Sequence, residues 1–310
     1  LGDVYKRQIQ YKDMNHNLKT LALGTVLCTT LLSMASCGDE LPDPIVLPRT
    51  LVDIHTDWSG IDAQQRPQQY VLSVNGDNYT VASDTYQMEL KSNCDYTFLA
   101  YVPVLGVDVN DGIATVKAAS HSTGNAEAIS GTPSTFYCAA QTITSLTGDK
   151  TSLTLPMQQA TRQLNVSLKA KVTSTDGSAV VQGGYAILSK AMATYNMYTS
   201  IASTAVEAVS DFSINATTGT ITAPFNVFAL DLSKDVTVQF VMFLSDGTQQ
   251  RLETSIGNFV ANFNDGSHST IDIGGKVGVD GSNASVNNWT IVDMGVITLT
   301  HTNKPQNAHQ

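Results

Sequence analysis

The chain has 310 residues, a formal net charge of −10 at pH 7 and only 14% charged residues. Its length suffices for two medium-sized domains or one large one. The acidic balance argues against a nucleic-acid partner, because binding to phosphates requires a basic surface. Apolar residues make up 42% of the chain, which argues against long disordered stretches.

The first segments of the chain are predicted to be absent from the mature protein. Residues 1–13 begin with LGDVYKRQ, and the codons of a transposon end used in sequencing libraries would encode DVYKRQ, so this stretch is interpreted as an artefact. Residues 14–36 have the parts of a secretory signal peptide: a short basic region, an apolar run and small residues before a cleavage site. The apolar run is too short to span a membrane.

The end of this signal predicts a lipid anchor. Met34-Ala35-Ser36-Cys37 resembles the lipobox of bacterial lipoproteins, in which the signal is cut before the cysteine and the thiol carries a lipid. We therefore expect cleavage after Ser36 and stable, multi-chain acylation of Cys37. The alternative is an ordinary signal with a chance cysteine. Asp39 and Glu40 resemble the acidic export signals of the Bacteroides group, which favours a surface-exposed position on the cell outer membrane.

Processing would leave Cys94 and Cys138 as the remaining thiols. In an oxidising periplasm or at the cell surface they could form a disulfide bond. Two strand cysteines that are buried as small hydrophobic residues explain the sequence just as well. The sequence leaves both alternatives open.

The mature chain is predicted to begin with a tether and then to form strands. Residues 37–49 are rich in proline and acidic residues without periodicity, which predicts an extended tether. Residues 51–58, LVDIHTDW, alternate between apolar and polar side chains, as a half-buried strand does. Asn75-Gly76 separates two alternating runs and predicts a tight β-hairpin.

Alternating runs continue to the end of the chain, separated by turn residues at the spacing of a β-sandwich. Pro156 interrupts this pattern, and a long strand and a new set of hairpins follow it. The sequence therefore predicts an all-β protein with one sandwich at residues 50–159, a second at residues 160–300 and a flexible tail at residues 301–310. Residues 189–210 show neither strict alternation nor a helical stripe, and we expect a long loop with a helical turn there.

No motif predicts catalysis, a metal or a cofactor. Asp53, His55 and Asp57 share one strand face at a spacing that a metal could use, but such residues are also the solvated face of any antiparallel strand. The segments DVNDG at 108–112 and NFNDG at 262–266 resemble the start of a calcium loop, yet they lack its register and are interpreted as turns. Phosphate-binding, nucleophile-elbow and zinc-protease motifs do not occur. We expect a protein that is not an enzyme.

Four features together resemble a known family. They are the lipobox, the strand that ends in Asp57-Trp58, the segment LPMQQATRQLNVSL at 155–168 and the late strand NNWTIVDMGVITL at 287–299. They resemble the fimbrial anchor and accessory lipoproteins of the fimbrillin superfamily in the Bacteroides group. The resemblance implies two tandem transthyretin-like β-sandwich domains at the base or tip of a surface fimbria. It implies fimbrial stalk or tip subunits as partners, and adhesion to host or bacterial surfaces.

The resemblance also implies strand exchange between subunits. In stalk subunits of this superfamily an arginine-specific protease removes the first strand, and a neighbour's C-terminal strand fills the groove by β-augmentation. Here the matching donor strand comprises Trp289, Ile291, Val292, Met294, Val296, Ile297 and Leu299. An ordinary last strand of the second sandwich explains these residues equally well. Because cleavage at Arg49 would detach the chain from Cys37, we expect Arg49 to stay intact.

Two further classes of function remain open. A glycan-binding surface lipoprotein of a polysaccharide-uptake system would need exposed aromatic rings to stack on sugars. The chain has two tryptophans, Trp58 and Trp289, and we expect Trp58 to lie in the core. A structural envelope lipoprotein without a polymer is the second alternative.

Overall fold

The computed structural model describes residues 48–121, 127–174, 180–265, 270–280, 283–291 and 296–301. Within these ranges the chain forms β-strands, turns, loops and two short 3₁₀ helices, Ala63–Gln65 and Gly257–Phe259. No helix in these ranges is long and apolar enough to cross a membrane. The predicted signal peptide, the cleavage after Ser36, the acylation of Cys37 and most of the tether lie outside the described residues. The prediction of an all-β, sandwich-like protein is confirmed.

The first part of the described chain builds two sheets. Its strands are β1 (Arg49–Asp57), β2 (Tyr70–Val74), β3 (Asp77–Val81), β4 (Thr85–Lys91), β5 (Tyr96–Tyr101), β6 (Val107–Asn110), β7 (Ile113–Val116), β8 (Ile129–Ser130), β9 (Tyr137–Ile143), β10 (Lys150–Pro156) and β11 (Gln158–Gln159). Sheet A has the order β10-β1-β4, and sheet B has the order β11-β9-β5-β2-β3. The remaining strands, β6 to β8, pair elsewhere.

The facing sides of sheets A and B enclose a hydrophobic core, as the alternation in β1 predicts. Val52 and Ile54 are fully buried and belong to this core together with Phe98 of β5. Asp53 and His55 lie on the opposite, more accessible face of β1. Burial of one large apolar side chain contributes about 1.5–3 kcal/mol, so β1 is a substantial part of this core.

The hairpin predicted at Asn75-Gly76 is confirmed. The strands β2 and β3 pair in antiparallel fashion, with Tyr70 opposite Val81 at the open end. Asn75 has φ 49° and Gly76 has φ 94°. A type I′ turn requires left-handed values at both central positions, which Asn-Gly adopts at little cost.

The second part of the described chain builds sheets C and D. Its strands are β12 (Arg162–Ser174), β13 (Val181–Asn196), β14 (Ile201–Asp211), β15 (Ser213–Asn215), β16 (Thr220–Val227), β17 (Thr237–Leu244), β18 (Gln249–Ser255), β19 (Thr270–Asp280), β20 (Asn283–Ile291) and β21 (Val296–His301). Sheet C has the order β18-β17-β13-β14-β8, with β7 on β13 and β6 on β7. Sheet D has the order β15-β16-β12-β19-β20, with β21 on β12. Buried residues of both sheets form a second core.

Three strands from the first part of the chain belong to sheet C. The hairpin of β6 and β7 joins β13, with Thr115 opposite Thr194, and β8 runs parallel to β14. The chain thus passes into the second core after β5 and returns through Phe136, whose ring packs edge-on against Phe228. The domain boundaries at 50–159 and 160–300 stay predictions. Residues 107–130 precede the predicted boundary but contribute their strands to sheet C, which the second part of the chain builds.

The prediction of a loop with a helical turn at 189–210 is wrong. These residues form most of a hairpin, in which β13 and β14 are joined by a turn at residues 197–200. A β-bulge places Ser189 and Lys190 of β13 opposite the single residue Glu207 of β14. Lys190 takes a left-handed φ of 63° at this bulge.

The bulge explains why the sequence of β13 hides a strand. The residues of β13 that reach the second core are Ala186 and Leu188 before the bulge and Ala191, Ala193 and Tyr195 after it. The buried positions change from even to odd numbers, so the period-two pattern is broken in the middle of the strand. A one-residue shift of this kind inverts which side chains face the core.

Candidate functional site

The strand β1 lies in the middle of sheet A. It pairs with β10 in parallel and with β4 in antiparallel fashion, over seven residue pairs on each side. Residues 51–55 of β1 have ladder partners on both sides. A parallel pair between non-adjacent segments cannot be recognised from local sequence. The element closest to the predicted tether is therefore an interior strand.

A buried threonine fastens the beginning of β1. Thr50 is fully buried, and its Oγ1 donates a hydrogen bond of 2.6 Å to the carbonyl oxygen of Gly148. The same Oγ1 lies 2.9 Å from the hydroxyl of Ser92. The backbone NH of Leu51 donates to the carbonyl oxygen of Asp149 over 2.9 Å. The sequence did not reveal this cluster, because threonine is an ordinary strand residue and its partners are distant in the chain.

Arg49 is exposed, and its guanidinium lies 3.8 Å from the carboxylate of Glu89, which is also exposed. Such a surface pair contributes at most about 1 kcal/mol. The peptide bond between Arg49 and Thr50 lies within a strand paired on β4, with Arg49 opposite Lys91. A protease cuts such a bond only after local opening of the sheet.

The three polar residues of β1 do not form a metal site. The Asp53 carboxylate lies 2.6 Å from the Lys150 ammonium, whose hydrogen bond lowers the pKa of Asp53. The Asp57 carboxylate accepts a hydrogen bond from the backbone NH of Ser59, which lowers the pKa of Asp57. His55 is exposed. Across the described ranges no group of three or more His, Cys, Asp or Glu side chains could hold a metal ion.

Of the two segments that resemble calcium loops, the first runs from β6 into a turn at residues 111–112, and residues 262–264 of the second form a turn, with Gly266 outside the described residues. Asp111 and Gly112, with φ of 47° and 74°, connect β6 to β7. Asn264 binds the backbone of Leu230 twice: its side-chain oxygen accepts from the NH over 3.0 Å, and its amide donates to the carbonyl over 2.7 Å. Both polar atoms of the Asn264 side chain are thus engaged by the backbone of Leu230, which lies 34 positions away in the chain.

The two cysteines in the described ranges are free thiols, with Cys94 exposed and Cys138 buried. Cys138 lies opposite Tyr101 at the end of β5, whereas Cys94 precedes the start of that strand. At about 3.3 Å per residue, β5 keeps the thiols more than about 15 Å apart, and a disulfide requires Cα atoms within about 7 Å. The structure therefore supports the alternative in which Cys138 is buried as a small hydrophobic residue. Burial raises the pKa of its thiol to about 12.

The residues assigned to a donor strand are divided between two strands. Trp289 and Ile291 belong to β20, which pairs with β19. Val296, Ile297 and Leu299 belong to β21, which pairs in parallel with residues 169–174 of β12. Val292 and Met294 lie outside the described residues. Here β21 pairs within the chain's own sheet D, which leaves the choice between a donor strand and an ordinary last strand open.

Trp58 lies in the first core with 4% of its surface exposed, as expected. Its indole NH donates to Thr56 Oγ1 over 2.9 Å, and its ring packs edge-on against Tyr70 and Tyr137. Trp58 is therefore not a platform for a sugar.

A polar cleft of about 430 Å³ lies beside β11. The side chains that line it include Asp62, Gln65, Gln158, Gln159 and Arg162. Amide, carboxylate and guanidinium groups of this kind can bind hydroxyl groups or backbone amides. The sequence analysis did not identify this cleft, because its walls come from two segments far apart in the chain.

The family model for Fimbrillin-A associated anchor proteins Mfa1 and Mfa2 matches residues 67–295, more than half of the chain. The chain belongs to this family. The resemblance to fimbrial anchor proteins is thereby confirmed. A comparison with curated proteins gives no match.

Solved structures share the fold of this Mfa2-family chain. A candidate adhesin from Bacteroides ovatus matches with a TM-score of 0.59 and 11% identity, covering 88% of this chain and 100% of that one. The fimbrial anchor protein Mfa2 from Porphyromonas gingivalis matches with a TM-score of 0.51 and 12% identity, covering 79% and 96%. At these identities the similarity is one of fold. The family places the chain among fimbria-associated proteins of the cell surface.

Proposed function

We propose that this Mfa2-family chain is a lipid-anchored surface subunit that attaches or caps a fimbria and so supports adhesion. The family match over residues 67–295 is the observation that carries this proposal. The lipobox at Cys37 would supply the anchor, and the residues that the structure describes begin 11 positions later, at Pro48. On this proposal the protein works by binding rather than by catalysis.

Strand exchange is the proposed mode of assembly. The strand β19 pairs with residues 163–168 of β12, and β21 occupies the edge of the remaining residues, 169–174. The last strand is thus added to a segment of β12 that β19 leaves uncovered. We propose that β21 exchanges here with a strand of a fimbrial subunit, since an unpaired edge accepts a strand from any chain that can reach it.

We also propose that the bond after Arg49 stays intact. Cleavage there would separate the fold from Cys37 and would require opening of sheet A at its central strand. Mass spectrometry of the native protein tests this directly. Native protein that begins at Thr50 would contradict the proposal.

Electron microscopy of cells tests the proposed function. Deletion of the gene is expected to change the number, length or attachment of surface fibres, and Cys37→Ser is expected to release fibres into the medium. Cys94→Ser is the matched control, because Cys94 is exposed and carries no predicted lipid. Fibres that keep their number, length and attachment in the deletion strain would refute the fimbrial role.

A further inference from the structure

The two ends of β1 lie at opposite ends of the first sheet pair. Its beginning contacts Gly148 and Ser92, in the turns that follow β9 and β4. At its end, the carbonyl oxygen of Asp57 accepts from the NH of Met157 over 2.9 Å. The strand therefore extends from the side where the tether joins the fold to the side where the chain leaves sheet A.

Every connection between the first sheet pair and the second leaves the first pair on the same side. This is the side where β1 ends, away from the tether. The chain crosses after β5, before β9 and after β11. Tyr101, at the end of β5, lies opposite Cys138 at the start of β9, and Gln159 of β11 lies opposite Tyr137. The three connections are thus neighbours on one side of the first sheet pair.

This arrangement determines how tension would act on the fold. A force between the tether and sheets C and D pulls β1 along its own axis, relative to β4 and β10. Sliding β1 in this direction strains the hydrogen bonds of both ladders together, whereas peeling would break them one after another. A single hydrogen bond contributes only modestly to stability. A force that loads many bonds at once is divided among them, so a larger total force is needed than when the bonds are loaded singly.

The tether side of β1 has additional contacts across the sheet. Thr50 bonds to Gly148 and Ser92, and the Asp53 carboxylate pairs with the Lys150 ammonium. The NH of Ser92 donates to the carbonyl oxygen of Pro48 over 2.8 Å. These groups would resist the first step of sliding.

We propose that β1 is a shear clamp that carries tension between the tether and the second sheet pair. Its biological use rests on the proposed lipid anchor and fimbrial attachment, but the clamp itself is a property of the fold. It would keep the protein folded while a fibre held at sheets C and D is pulled. The clamp can be tested in the absence of fimbriae, so its failure is separate from failure of the proposed function.

Optical tweezers on the full-length, non-lipidated chain test the clamp. Cys28, Cys37 and Cys94 are replaced by serine, and DNA handles are attached through Pro48→Cys and Ser134→Cys. Ser134 is exposed on the distant side, in the connection between β8 and β9. The control attaches the second handle through Lys91→Cys. Residue 91 lies opposite Arg49, so a force between these two handles peels β1 from β4. We expect a rupture force at least about twofold higher in the first geometry at equal pulling rates.

Equal or lower rupture force in the first geometry would overturn the proposal. A second comparison uses Thr50→Val, which removes the hydroxyl on the tether side. The matched control is Thr56→Val, since Thr56 is also buried on β1 but accepts its short hydrogen bond from Trp58 of the same segment. Thr50→Val is expected to lower the rupture force more than Thr56→Val at matched equilibrium stability. If Thr50→Val does not fold, Ser92→Ala replaces it. An equal loss of rupture force in the tether-side variant and in Thr56→Val would contradict a clamp on the tether side.

Discussion

The first and the last strand of the described chain differ in how they are held. The strand β1 has ladders on both sides, a fully buried apolar face and a buried hydroxyl that bonds to two loops. Among the described strands β21 pairs with β12 alone. A strand fixed on both sides is costly to remove, whereas a strand paired on one side can leave without opening the rest of its sheet. This contrast is compatible with the proposed attachment through the tether before β1 and with the proposed strand exchange at β21.

Hydrogen exchange measures this contrast most directly. Amides of Val52 and Ile54 are expected to exchange only when the whole first sheet pair unfolds, because both residues lie inside two ladders and a core. Amides of β21 are expected to exchange at least ~100-fold faster through local opening. Mass spectrometry of proteolytic fragments after timed labelling gives both rates. Equal protection of the two strands would remove the contrast.

Removal of core atoms from β1 should have the next largest effect. Ile54→Ala is expected to lower the free energy of unfolding by about 2–5 kcal/mol, because Ile54 is fully buried in the first core. The neighbouring change His55→Ala, on the exposed face, is expected to stay within about 0.5 kcal/mol. Urea unfolding followed by fluorescence gives both values. A cost for His55→Ala that matches that of Ile54→Ala would show that β1 has no special inner face.

The pair of Asp53 and Lys150 should have a smaller effect, which depends on pH. The Lys150 hydrogen bond lowers the pKa of Asp53 in the folded state, so its stabilising contribution is present above the pKa of the unfolded carboxyl. That contribution is lost as the pH falls through the lowered pKa. Unfolding midpoints measured between about pH 6 and pH 2 should therefore fall more steeply for the wild type than for Asp53→Asn. Parallel curves would mean that the pair does not stabilise β1.

The sequence predicts those parts of the fold that follow from local patterns. The alternation of Val52 and Ile54 identifies β1, and Asn75-Gly76 identifies the first hairpin. The hairpin of β13 and β14 was missed because the bulge at Lys190 inverts the alternation within one strand. Local patterns describe a strand but not its partners, which only the folded chain brings together.

The same limit applies to the candidate site. The sequence predicts a lipid at Cys37, because a signal and its cleavage site are contiguous in the chain, and this stays a prediction. It does not indicate the bond from Thr50 to Gly148, whose residues are 98 positions apart. Nor does it reveal that three connections meet at one side of the first sheet pair. The proposed clamp depends on these long-range relations, and so only the structure could suggest it.

The separation of Cys94 from Cys138 has a consequence for the environment in which the fold can work. No covalent cross-link joins the described strands, and the buried thiol of Cys138 is kept protonated by its raised pKa. Noncovalent contacts therefore hold the described strands together, and these contacts do not depend on an oxidant. Folding would then require no oxidising environment, and we expect the thermal midpoint to be the same with and without a thiol reductant.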